Sequence, residues 1–262
     1  MEATILVVIA LVMVGSAALL FGSRGAEGAV VSQPLPTSSP GSPGITIASA
    51  SEDLTGAWMT VQGHQYVMFV STAFGDNRLN VPLFVGQPGH WAAEVDALPT
   101  MPPWALDVGH QGLTWEPMVS QFGTRFVLYF AASVRKDSRI HCLGTAVSDS
   151  ITGPYTPTPR PIVCQSNSGG DIDPQVVTDG GHPFLIWKMD ANSVPPYTAP
   201  SRIFSQPLSS DGLSVVGSPT VIYGTESAPP WARPIIEAPQ MVASPFGGWW
   251  LFYSGGGGFF AP

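Results

Sequence analysis

The stretch Glu116–Ser133, EPMVSQFGTRFVLYFAAS, reads as two strands joined at a tight turn on Gly123. A proline opens the first strand, and an unbroken apolar and aromatic run, Phe126-Val127-Leu128-Tyr129-Phe130, fills the second. The same pattern recurs in AWMTVQGHQYVMFVST from Ala57, DPQVVTDGGHPFLIWK from Asp173 and APQMVASPFGGWWLFYSG from Ala238. The equivalent positions Ala57, Pro117, Pro174 and Pro239 lie 60, 57 and 65 residues apart. That spacing holds a four-stranded unit plus loops, the period of a propeller blade. Second strands apolar at nearly every position suit sheets covered on both faces by neighbours. The expected fold is therefore all-β: a β-propeller of four-stranded antiparallel blades. A plain β-sandwich accounts for strands and turns but not for one hairpin signature returning at long, similar intervals.

Composition agrees. Gly (29) and Pro (27) together make up about a fifth of the 262 residues, too turn-rich for a helical bundle, while 44% hydrophobic content supplies a core. Only 11% of residues are charged and the net charge is −8, which excludes a basic nucleic-acid surface. The five histidines have no metal-ligand spacing, and neither a metal nor a cofactor is expected.

Residues Thr4–Phe21 form an uncharged run of eighteen, long enough to approach a membrane span. Residues 1–28 read as a signal peptide or an N-terminal membrane anchor; the small-residue stretch Ala26-Glu27-Gly28 fits cleavage, and anchoring stays equally open. Residues 29–52 are Ser/Pro/Gly-rich, a linker too polar to repay its ordering entropy. Residues 53–262 then form the propeller domain. An extracytoplasmic location, secreted or membrane-anchored, follows, and it permits a disulfide between Cys142 and Cys164.

In a propeller the innermost strands of all blades line one channel, so their entrances converge. Acids stand there: Glu116 before Pro117, Asp173 before Pro174, and Glu237 two residues before Pro239. Crowded carboxylates raise one another's pKa toward the range where one can donate a proton. Paired carboxylates of this kind carry out glycoside hydrolysis. Of the tryptophans, Trp58 and Trp115 are candidates to stack on a sugar ring; Trp91, Trp104, Trp187 and Trp231 read as core. Asp171 and Asp179 read as loop and turn residues.

Four ordered motifs carry a family resemblance over about residues 53 to 262. The run Ala146-Val147-Ser148-Asp149-Ser150-Ile151-Thr152-Gly153-Pro154-Tyr155, with Trp115-Glu116-Pro117, Ile172-Asp173-Pro174 and Glu237-Ala238-Pro239 leading into Trp249-Trp250-Leu251-Phe252-Tyr253-Ser254, resembles glycoside hydrolase family 43. The resemblance implies a five-bladed propeller and inverting cleavage of arabinofuranosyl or xylosyl linkages in an oligo- or polysaccharide. It implies Glu237 as general acid and Asp173 as the residue that tunes and orients it.

Three departures stand out. The family's base is an aspartate opening the first blade, where this sequence has Gly56-Ala57; the nearest acid, Asp53, is the candidate substitute. Glu116 stands where the resemblance has alanine, and is either a rim charge, the favoured reading, or an added active-site acid. The chain ends at Pro262, eight residues after Ser254, so four blade repeats are visible of an expected five. A carbohydrate-binding propeller without the base is the alternative to a glycosidase.

Overall fold

The computed structural model describes residues 5–7, 56–71, 79–87, 90–92, 95–107, 114–134, 137–195 and 199–256. The linker 29–52, Asp53 and all but Ile5–Val7 of the N-terminal apolar run lie outside the described residues. No helix among the described residues is long and apolar enough to cross a membrane.

Ile5–Val7 forms β1. The first sheet holds β2 (Trp58–Gln62), β3 (Gln65–Phe69), β4 (Pro82–Gln87), β5 (His90–Trp91) and β6 (Val95–Asp96). The second holds β7 (Thr114–Phe122), β8 (Arg125–Val134), β9 (Asp137–Ser148) and β10 (Thr156–Pro157). The third holds β11 (Asp171–Asp179), β12 (His182–Met189), β13 (Arg202–Pro207) and β14 (Thr220–Gly224); the fourth, β15 (Ile235–Ala243) and β16 (Trp249–Gly256), with β1 parallel on β16. Apart from β1, and from β6 returning to pair with β4, the chain meanders through antiparallel neighbours in order within each sheet, as short turns require. Gly123, with φ 62°, supplies the left-handed backbone at the β7–β8 turn.

The sheets stack face to face in sequence, and their first strands are neighbours: β2 contacts β7, β7 contacts β11, and β11 contacts β15. Between successive sheets lie three apolar clusters. Leu128, Phe130 and Ala132 of β8 pack toward the first sheet with Phe69 and Leu83. Val127, Tyr129 and Ala131 of the same strand pack toward the third sheet with Leu185 and Trp187. The strand is thus buried on both faces, because the two-residue period of a pleated strand sends alternate side chains to opposite neighbours. β12 repeats this, with Leu185 and Trp187 facing back and Ile186 facing the fourth sheet beside Ile203, Ile236 and Leu251. Its next residue on that forward face is Lys188, a cation at 1% exposure, which only specific partners make tolerable.

Candidate active site

Three of the four first strands carry the same irregularity. In β7 the pairing with β8 skips between Trp115 and Met118; in β11, between Ile172 and Gln175; in β15, between Glu237 and Gln240. The two skipped residues are Glu116-Pro117, Asp173-Pro174 and Ala238-Pro239. Proline has no N–H to give to the ladder, and a bulge is one of the few places inside a sheet that accepts it. The residue before it takes a left-handed backbone: φ is 46° at Glu116, 56° at Asp173 and 51° at Ala238. These are the non-glycine residues with positive φ among the described residues. Gly56, at the matching place before β2, has φ 55°. A non-glycine side chain held left-handed costs about 1–3 kcal/mol, and such strain gathers where function demands it.

The bulges bring three blades' polar groups together. Lys188 Nζ donates to Asp190 Oδ1 at 2.8 Å and to Glu237 Oε2 at 3.1 Å. Asp173 Oδ2 accepts from the Ala238 N–H at 2.7 Å, so the acid of one blade pins the bulge that carries Glu237 in the next. Burial pushes the Asp173 carboxyl up to about 6, against the downward pull of Lys188 and that hydrogen bond. Burial opposes the charge on Lys188, yet Asp190, Asp173 and Glu237 together hold its pKa above the ordinary lysine value. Glu116 is raised to about 8, first by burial and then by repulsion from Asp173 and Glu237. Its N–H donates to Ser71 Oγ at 2.8 Å, and Ser71 in turn donates to the Gly56 carbonyl at 3.3 Å. One buried serine thereby ties the entrance of the first blade to that of the second.

A family model described as glycosyl hydrolases family 43 matches residues 51–258. The chain belongs to this family. No curated protein matches it. A thermostable family 43 glycoside hydrolase superposes with a TM-score of 0.61 at 17% identity, covering 73% of this chain and 61% of that one. The endo-arabinase from Bacteroides thetaiotaomicron gives 0.60 at 20% identity, covering 78% and 70%. The Bacillus subtilis arabinanase gives 0.55 at 19% identity, covering 74% and 64%. The chain thus spans about three-fifths to seven-tenths of the length of these structures, and at such identities the likeness speaks for the fold: a family 43 propeller.

Of the residues singled out in the sequence, Asp173 and Glu237 lie in this cross-blade cluster, within electrostatic reach of each other. Glu116 is not a rim charge. The left-handed bulge turns it inward, where it is half-buried and feels both other acids. Trp115, next to it, is half-buried and stacks on His141 with ring centroids 3.9 Å apart. Trp58 packs against Phe69, wedged between the first two apolar clusters. Asp53 lies outside the described residues. Cys142 and Cys164 form a disulfide with Cα atoms 4.6 Å apart, fastening the chain before β11 to β9. Asp171 is no loop acid: fully buried, it accepts from Trp187 Nε1 at 2.9 Å and from the Gln165 N–H at 2.5 Å.

Lys188 and Asp190 escaped the sequence reading. The signal was present, since a lysine inside the apolar run Phe184-Leu185-Ile186-Trp187-Lys188-Met189 has to meet a carboxylate on its buried face. Among the described residues no group of three or more His, Cys, Asp and Glu is placed to hold a metal ion.

Proposed function

We propose that the chain is a glycosidase that hydrolyses arabinofuranosyl or xylosyl linkages of an extracellular oligo- or polysaccharide with inversion. The observation that carries this reading is the cross-blade cluster in which Asp173 pins the bulge holding Glu237 and Lys188 fixes the Glu237 carboxylate. Glu237 is the general acid, giving its proton to the leaving glycosidic oxygen, and Asp173 orients it through the Ala238 N–H. Trp115, beside Glu116 and backed by His141, offers the flat apolar face a sugar ring stacks on.

The Cys142–Cys164 disulfide and the apolar N-terminal run support an extracytoplasmic site of action, secreted or held to the membrane if residues 1–28 are retained. The glycine at position 56 favours a second reading, a carbohydrate-binding propeller that lacks the base. A panel of nitrophenyl pentosides and of arabinose- and xylose-containing oligosaccharides separates the two. Hydrolysis that Glu237→Gln abolishes on the oligosaccharides supports the enzyme. Tight oligosaccharide binding without turnover favours the binding module.

A further inference from the structure

We propose that Glu116 is the general base of this site, reaching from the second blade into the volume that the missing side chain at position 56 leaves open. The inference rests on the glycosidase reading above and adds to it the group that activates water.

Gly56, Glu116, Asp173 and Ala238 are the four equivalent left-handed positions at the blade entrances. A Cβ placed on Gly56 would lie 2.7 Å from the carboxyl carbon of Glu116 and would also collide with its Oε1 and with Ser71 Oγ. The carboxylate of Glu116 therefore occupies the place where a side chain from position 56 would begin. Ser71 holds the two strands in that relation through the Glu116 N–H and the Gly56 carbonyl.

The other carboxylates of the cluster are committed. Glu237 is held by Lys188, Asp190 by the same ammonium, and Asp173 is 8% exposed and spent on the Ala238 N–H. Among the described residues the Glu116 carboxylate has neither a hydrogen-bond donor nor a cation as partner, yet it is not sealed off from solvent. A left-handed glutamate at a bulge, with no bond to repay its strain, fits a group placed for reaction. Burial and two neighbouring acids lift its carboxyl to about 8, so that once ionised it is a stronger base toward water than an ordinary glutamate.

In the reaction, Glu116 accepts a proton from water as the water oxygen bonds to the anomeric carbon. The glycosidic C–O bond breaks on the opposite side and its oxygen takes the proton of Glu237. The products are the free sugar with inverted anomeric configuration and an alcohol. Exchange with solvent then returns the proton from Glu116 and restores that of Glu237.

The test uses the full chain with nitrophenyl pentosides and pentose oligosaccharides. Glu116→Gln should lower kcat by about 10²–10⁴ on both, the usual worth of general-base help. Azide carries its own negative charge and needs no base, so adding it should restore release of nitrophenol and yield a glycosyl azide of inverted configuration. Glu237→Gln should instead spare nitrophenyl substrates, whose leaving groups need little protonation. A structural role for Glu116 would not be rescued by azide, and loss without rescue overturns the assignment. So does a Glu116→Gln variant with wild-type turnover, or a collapse in Asp53→Asn with Glu116→Gln intact. In both of those cases the glycosidase reading stands. Absence of turnover by the unaltered chain across the panel removes that reading, and the base with it.

Discussion

Position 56 and position 116 compete for one space. A methyl group on Gly56 meets the Glu116 carboxylate and Ser71 Oγ, and its backbone would be held at φ 55°. Gly56→Ala should therefore destabilise the fold by about 1–3 kcal/mol, the usual cost of overpacking. In a Glu116→Ala background the acid is gone and only the backbone strain and Ser71 remain, so the cost should shrink. Chemical denaturation of the four proteins of this cycle measures the coupling; equal costs in both backgrounds would mean that the two positions do not share the space. The sequence shows glycine at 56 and glutamate at 116, but nothing in the string tells which way a side chain leaves a bulge. Glu116 reads as a rim charge until the left-handed backbone turns it inward.

At the scale of elements, the legible part is what repeats locally. The proline and turn glycine mark both ends of the first strand in the last three blades, and the apolar second strands follow from burial on two faces, as in β8 and β12. Contacts between elements distant in sequence are not written that way. Asp171 shows this: it sits two residues before Asp173 and looks like a loop acid, but β12 places the Trp187 indole over it. Lys188 belongs to a strand whose neighbours are all apolar, and its partner Glu237 is 49 residues away. The disulfide is another long-range element, closing a loop of separation 22 between β9 and the chain ahead of β11. By loop-closure entropy it contributes about 3 kcal/mol. The Cys142→Ala/Cys164→Ala variant should lose about that much in urea unfolding, and an unchanged midpoint would show that the loop is held by its other contacts. Those contacts are real, since Leu143 and Val163 share a backbone hydrogen bond of 2.9 Å.

For the whole molecule, the 57–65-residue period marks both the stacked sheets and the convergence of Glu116, Asp173 and Glu237 at their entrances, while Lys188 joins that ring of three blades only through the stacking. That ring sets how stability varies with pH. Glu116 rises from 4.5 to about 8, chiefly by burial and then through Asp173 and Glu237. Asp173 and Asp171 rise from 3.8 to about 6, again with burial foremost. The folded chain thus binds these protons more tightly than the unfolded one. Their stabilisation is complete below about pH 4 and is lost as pH climbs through 6 and then 8, since stability falls with pH wherever the native state holds more protons. Lys188 works in the same direction, but its raised pKa costs stability only as pH climbs above the ordinary lysine range. Thermal unfolding should accordingly show a falling midpoint from pH 5 to pH 8. In Glu116→Gln the amide cannot ionise, so the decline should end near pH 6 to 7, leaving the variant a few degrees more stable than the wild type at pH 8. A residue kept for structure destabilises when it is replaced; one kept for reaction at a cost to the fold does the reverse. A Glu116→Gln midpoint below that of the wild type at pH 8 would mean that the carboxylate holds the ring together instead of straining it.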